Sequence, residues 1–105
     1  MIRHIVFFTA SPENLDAVVD GLWLLAEIPH AQHFEVCRNG KLDQFGNEVD
    51  VVVYAEFADE AALAAYKAHP IYAEATRRVR PLRETRHAAD FTALESRSAA
   101  VRRSA

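Results

Sequence analysis

Two segments of this chain are apolar on both of their alternating faces, and that restricts the folds open to it. In Ile2 to Phe8 one face carries His4, Val6 and Phe8 and the other Arg3, Ile5 and Phe7. In "EVDVVVYAEF" Val49, Val51, Val53, Ala55 and Phe57 share an apolar face, while Asp50, Val52, Tyr54 and Glu56 form a mixed one. Both are rich in β-branched and aromatic residues, which reads as strand. Strands buried on both sides belong in the middle of a covered sheet. With 105 residues the chain has room for one domain and one core.

The remaining segments fix what surrounds those strands. "SPENLDAVVDGLWLLAEIP" places Ser11 as an N-cap and Pro12 at the first helical position, where its missing N–H costs nothing. Leu15, Val18, Val19, Leu22, Leu25 and Ala26 then recur at helical spacing, and Pro29 ends the run. "AQHFEVCR" reads as an edge strand, followed by a long hairpin loop in which Asn39-Gly40 and Gly46 supply residues tolerant of positive φ. Asp59 caps a helix that must stop or kink at His69-Pro70, because proline clashes with the preceding turn. A second helix starts at Pro70, and a last strand covers about Leu82 to Phe91. The order β-α-β-β-α-β predicts an α+β, ferredoxin-like sandwich with the first and third strands central. Its helices cover one sheet face only, so the side bearing Ile5, Phe7, Val52 and Tyr54 needs another cover. A second copy of the sheet would supply it, giving a homodimeric α+β barrel. The domain is expected over 1–93, with 94–105 a polar Arg/Ala/Ser-rich tail that frays.

Composition narrows the function classes. Half of the residues are hydrophobic, high for so small a domain, which favours self-association. A net charge of −3 argues against a nucleic-acid footprint. No apolar run is long enough for a membrane span and no secretory signal is visible. The single cysteine, Cys37, allows no internal disulfide, so a cytoplasmic setting is expected. His30 and His33 lie three apart without a carboxylate between them, and no metal site is expected. Phosphate-cradling and dinucleotide glycine motifs are absent.

"MIRHIVFF" at the start, the "Y..HP" of Tyr66, His69 and Pro70, and "DF" at Asp90-Phe91 together resemble the stress-responsive A/B barrel (Dabb) domain, in matching order from about Met1 to Phe91. The resemblance implies ferredoxin-like dimers. The family includes plant stress-induced proteins, a very stable oligomeric protein from aspen and a plant polyketide cyclase that makes olivetolic acid. That cyclase works without cofactor or metal, promoting an aldol condensation with a tyrosine and a histidine. Carried over, its tyrosine matches Tyr66, the histidine before its helical proline matches His69, its strand-one histidine matches His4 and its orienting aspartate matches Asp90. Its catalytic histidine falls at Tyr72, and a second pocket histidine at Val51. The chain thus keeps the tyrosine and the aspartate and lacks the base at its usual place.

The residues themselves outline the same site. Tyr66 and His69, at i and i+3, share a helix face that also carries Leu63, and His4 shares a strand face with Val6 and Phe8. Tyr66 would polarise a carbonyl and His4 or His69 would move a proton. Phe8, Leu22, Trp23, Val51, Val53 and Tyr72 would make the pocket apolar, suited to a hydrophobic or aromatic ligand. The opposing reading leaves Tyr66 a satisfied core tyrosine, His69 a helix cap and Asp90 an acceptor for backbone N–H groups. Arg77, Arg78, Arg80, Arg83 and Arg86 read foremost as a solvated helix end. Against that stands an arginine pairing across a dimer or meeting a substrate carboxylate at a pocket mouth.

Two functions follow. One is a cofactor-independent lyase, cyclase or isomerase acting on a hydrophobic or aromatic carbonyl compound. The other is a non-catalytic stress-response or ligand-sequestering dimer. They differ in a cavity: an enzyme needs space on the order of 300 Å³ or more, with the Tyr66 hydroxyl within hydrogen-bond or one-water reach of a histidine. A structural protein would fill that space with Trp23, Phe8 and Tyr72.

Overall fold

The computed structural model describes residues 1–100. Their strands are β1 (Ile2–Ala10), β2 (His33–Arg38), β3 (Val51–Phe57) and β4 (Arg83–Thr92). Their α-helices are α1 (Leu15–Trp23), α2 (Glu60–Ala68) and α3 (Pro70–Val79). All strand pairs are antiparallel in the order β2-β3-β1-β4. The two strands with two apolar faces are therefore the central ones, and the fold is ferredoxin-like, as the element order predicts.

The core lies between the sheet and the helices. Ile2, Val6, Phe8 and Ala10 of β1 and Val51, Val53, Ala55 and Phe57 of β3 are all buried there. Val18 and Leu22 of α1, with Leu25 and Ile28 beyond it, cover them together with Tyr66, Ala75 and Val79. Each large apolar side chain so enclosed contributes about 1.5–3 kcal/mol. Gly21 brings α1 against α3: a Cβ there would stand 2.8 Å from Val79 Cγ2.

Several local expectations change. Pro12–Asn14 form a 3-10 turn, Ser11 makes no capping bond through its side chain, and the regular helix begins only at Leu15. It ends at Trp23, and Leu24–Glu27 continue as a 3-10 turn before Pro29 is reached. Such tighter turns are common at helix ends, where the i→i+4 pattern runs out. Val49 and Asp50 precede β3, although the Asp50 N–H donates to the Phe8 carbonyl at 2.9 Å. In the hairpin loop the positive φ falls on Lys41 and Gly46, not on Gly40. Asn39 explains the shift, since its side-chain oxygen accepts from the Lys41 N–H at 3.0 Å and closes the turn one residue later. Across the expected boundary between domain and tail, Ala93–Glu95 make a short 3-10 turn. The part of the expected tail from residue 101 on lies outside the described residues.

The break between α2 and α3 follows the sequence. Asp59 caps α2 by accepting from the Ala62 N–H at 2.8 Å. His69 then turns extended, with ψ 142°, because a residue before proline is pushed out of the helical region. Pro70 opens α3 at once.

The far sheet face carries Ile5, Phe7, Val52, Tyr54 and Phe91 with no helix over them. Phe7 is 39% exposed. Arg3 lies over the Phe91 ring at 5.7 Å. No helix among the described residues is long and apolar enough to cross a membrane.

Candidate functional site

The helices lean over β1 and β3 and leave residues 84–91 of β4 exposed. Between the helices and the open part of the sheet lies a cavity of about 360 Å³. Val6, Phe8 and Val53 of the sheet and Leu22 and Leu25 form its apolar wall. His4, Tyr66 and Tyr72 face it as polar and aromatic groups.

Register sets the central pair. His4 is directly opposite Asp90 across the β1–β4 ladder, and His4 Nδ1 lies 2.5 Å from Asp90 Oδ1. A carboxylate only accepts, so the neutral imidazole carries its proton on Nδ1 and leaves Nε2 as the free base. The imidazole side chain is 2% exposed and the carboxylate 35%. Burial pushes the His4 pKa below its ordinary value. The hydrogen bond and charge of Asp90 oppose that fall, and the positive charges of Lys67 and Arg86 reinforce it. At neutral pH the group is an unprotonated base beside an apolar cavity.

Tyr66 is the complementary group. Its ring sits edge-on to Phe57 at 4.9 Å, Tyr72 at 5.3 Å and His4 at 6.2 Å between centroids. Burial raises its pKa far above the ordinary phenol value, so the hydroxyl stays protonated and acts as a donor. Among the described residues that hydroxyl has no hydrogen-bond partner; the side chain lines the cavity. A direct bond to either histidine, one of the two geometries an enzyme could have used, is not formed. Base and donor instead border the same space.

The other expected residues divide. Phe8, Leu22, Val53 and Tyr72 line the cavity, and Tyr72 borders it without filling it. Val51 is fully buried in the core away from this wall. Trp23 is 57% exposed and packs on Phe34 at 6.1 Å, because α1 turns it outward. His69 is outside the cavity as well: its Nδ1 accepts from the Ile71 N–H at 3.1 Å, and its ring meets His30 at 6.1 Å. The cap that the sequence offered as the competing account is what His69 does. Among the described residues no group of three or more His, Cys, Asp and Glu side chains is arranged to hold a metal ion.

The arginine cluster also divides, against the expectation of a wholly solvated helix end. Arg77 and Arg78 close on Glu74, with Arg77 Nη2 at 2.6 Å and Arg78 Nε at 2.9 Å, and hold that carboxyl down at about 2. Arg80, Arg83 and Arg86 line the cavity with Lys67. An irregularity between Thr9 and Ala10 hides this from the sequence. Across it Arg83 pairs with Ala10 while Arg86 pairs with Phe8, so an odd- and an even-numbered residue of β4 reach the same face.

A four-stranded antiparallel sheet with helices on one face and a pocket under them defines a small ferredoxin-like α+β domain. The stress responsive A/B barrel domain family matches residues 2–93, and the chain belongs to that family. Among solved structures it is similar to a Dabb family protein with a ferredoxin-like fold from Mesorhizobium loti, with 30% identity over 87% of this chain and 94% of that one and a TM-score of 0.73. A dimeric ferredoxin-like protein of unknown function from Thermobifida fusca is 27% identical over 86% of this chain and 88% of that one, with a TM-score of 0.72. A protein described as an antibiotic biosynthesis monooxygenase shares the fold at 18% identity and a TM-score of 0.69, covering 89% of this chain and 98% of its own. No curated protein matches the sequence.

Proposed function

We propose that this chain is an acid–base catalyst acting on a hydrophobic or aromatic carbonyl compound, as a lyase, cyclase or isomerase. The observation that carries the reading is that His4, held by Asp90 at 2.5 Å, stands on the wall of a cavity that Tyr66 also borders. His4 Nε2 takes the proton from the carbon next to the carbonyl, and the electron pair of that C–H bond moves into the carbonyl to give an enolate. The Tyr66 hydroxyl donates to the enolate oxygen, where a preorganised donor in an apolar site is most effective. Asp90 holds the imidazole in the right tautomer and stabilises the imidazolium. The enolate then attacks a second carbonyl, expels a group or recovers the proton at another carbon. Each of these steps needs only a base and a hydroxyl donor, so the reading calls for no cofactor. His4 takes the part that, by the resemblance, the plant polyketide cyclase gives to a histidine at the position of Tyr72.

The test needs no knowledge of the natural substrate. A panel of aryl and alkyl ketones and 3-oxo acids is incubated in D₂O, and exchange of the proton next to the carbonyl is followed by NMR. The wild type is expected to accelerate exchange for some members, with His4→Gln and Tyr66→Phe slower by about 10²-fold or more. Exchange that is absent across the panel, or unaffected by both substitutions, refutes the enzyme. The second reading, a ligand-sequestering protein, rests on the missing Tyr66–histidine hydrogen bond; binding without exchange would favour it.

The far sheet face motivates a further part of the proposal, a homodimer closed by the two sheets, as in relatives described as dimeric. A cytoplasmic protein is consistent with a single free Cys37.

A further inference from the structure

The cavity has two chemically different ends. At one stands His4, held by Asp90 of β4. Along the same face of β4 come Ala88, opposite Val6, and Arg86, opposite Phe8, with Arg83 beyond them opposite Ala10. Four residues of strand, about 13 Å, separate the backbone of Asp90 from that of Arg86. Between them Ala88 adds no bulk. Arg80 enters from the end of α3 and Lys67 from α2, so four cations from three elements converge on one space.

These cations differ from four of the other basic residues, which carboxylates hold, while Arg3 lies over the Phe91 ring on the far sheet face. Arg38 pairs with Asp16, Lys41 with Asp50, and Arg77 and Arg78 with Glu74. Among the described residues no carboxylate lies within ion-pair distance of Lys67, Arg80, Arg83 or Arg86. A protein with net charge −3 has acids to spare, yet the cavity is left positive. Like charges gathered beside an apolar wall repel one another, a cost relieved when an anion enters. Guanidinium groups present forked donors that match the planar oxygens of a carboxylate or the oxygens of a phosphate.

We propose that the substrate is an anionic carbonyl compound whose carboxylate or phosphate group is held by Arg83 and Arg86, with Arg80 and Lys67 beside them, while its carbonyl faces His4 and Tyr66 from the cavity. The inference rests on the acid–base reading of this cavity and adds to it the charge of the ligand and its direction of binding. The anion sits several bonds from the reacting carbonyl, because Arg86 and Arg83 lie further along β4 from Asp90, the residue opposite the base His4. Binding the remote anion then orients the carbonyl against Nε2 of His4.

The experiment titrates the full chain with 4-hydroxybenzoate, 4-hydroxyphenyl phosphate and 4-hydroxybenzamide by calorimetry, in low and high sodium chloride. At least one anion is expected to bind tenfold or more tightly than the amide, with the preference shrinking in high salt. The tighter anion names the group that the arginines are built for. The double variant Arg83→Gln/Arg86→Gln should lose the preference and keep its affinity for the amide. Arg77→Gln/Arg78→Gln, which removes the same charge from residues held by Glu74, should keep the preference. Equal binding of anions and amide, absence of binding by all three, or a preference that survives in the Arg83/Arg86 variant overturns the proposal. Equal binding together with proton exchange that still depends on His4 would sink the anion site alone. An anion preference with no exchange would sink the catalytic reading alone.

Discussion

Replacing Asp90 with asparagine keeps the shape of the residue and removes the charge that faces His4. The carboxylate accepts from Nδ1 at 2.5 Å, across a pair whose imidazole side chain is 2% exposed and whose carboxylate is 35% exposed. A hydrogen bond to a charged partner contributes about 1.5–3 kcal/mol, and partial exposure of Asp90 lets water replace some of it, so a loss of about 1–2 kcal/mol is expected. The titration of His4 should move as well. Asp90 raises the His4 pKa through its hydrogen bond and its charge, against burial and the charges of Lys67 and Arg86. Without it, the imidazole must titrate at still lower pH. Urea unfolding at pH 7.0 (about neutral, where His4 is uncharged) gives the stability. The Hε1 resonance followed against pH gives the titration. A His4 pKa that is unchanged or higher in the variant would refute the reasoning, because the pair would then not govern the proton on this ring.

Other expectations are simpler to state. Gly21→Ala places a Cβ 2.8 Å from Val79 Cγ2 and should destabilise the fold by about 1–3 kcal/mol, with partial recovery when Val79→Ala is added; unchanged thermal unfolding would mean that α1 and α3 are not so close. His4 binds its proton less readily folded than unfolded. Its contribution to stability is therefore complete above the ordinary histidine value and is lost as pH falls from there through the lowered folded value. Urea midpoints that stay flat across that window in the wild type, or fall equally in His4→Gln, would contradict this. Phe7→Glu puts a charge on the uncovered sheet face and should convert the proposed dimer to a monomer in sedimentation; a wild type that sediments as a monomer defeats the expectation at once.

Much of the fold was legible because it depends on patterns that neighbours in sequence enforce. The two-faced apolar strands required a central place, and they have it. Pro70 required a helix break, and His69 supplies both the extended residue and the cap. The helix ends around Ser11 and Trp23 are not legible in the sequence, since 3-10 turns and α-helix share the same apolar spacing over a few residues. Trp23 looked like a pocket residue because its position counts as nearly inward at helical spacing, and only the orientation of α1 against the sheet turned it to solvent.

The site was legible in part. His4, Tyr66 and Asp90 came from the order of motifs along the chain, while the register that sets His4 opposite Asp90 is a long-range pairing between residues at the two ends of the domain. The arginines show the limit most clearly. Arg77 to Arg86 form one charged run in the sequence, and its composition reads as a solvated face. Three-dimensional packing cuts that run in two, giving Arg77 and Arg78 to Glu74 and turning Arg80, Arg83 and Arg86 to the cavity.

The sequence by itself therefore determined the element order, the central strands, the helix break and the family. All follow from periodicity, proline stereochemistry and motif order, which act over short stretches. Tertiary structure alone decided that a cavity stays open beside Tyr72, that His4 and not His69 lines it, and that the shift in register near Thr9 turns Arg83 to the same side as Arg86. Those are outcomes of packing and strand register between distant segments, where a displacement of one residue moves a side chain to the opposite face of the sheet.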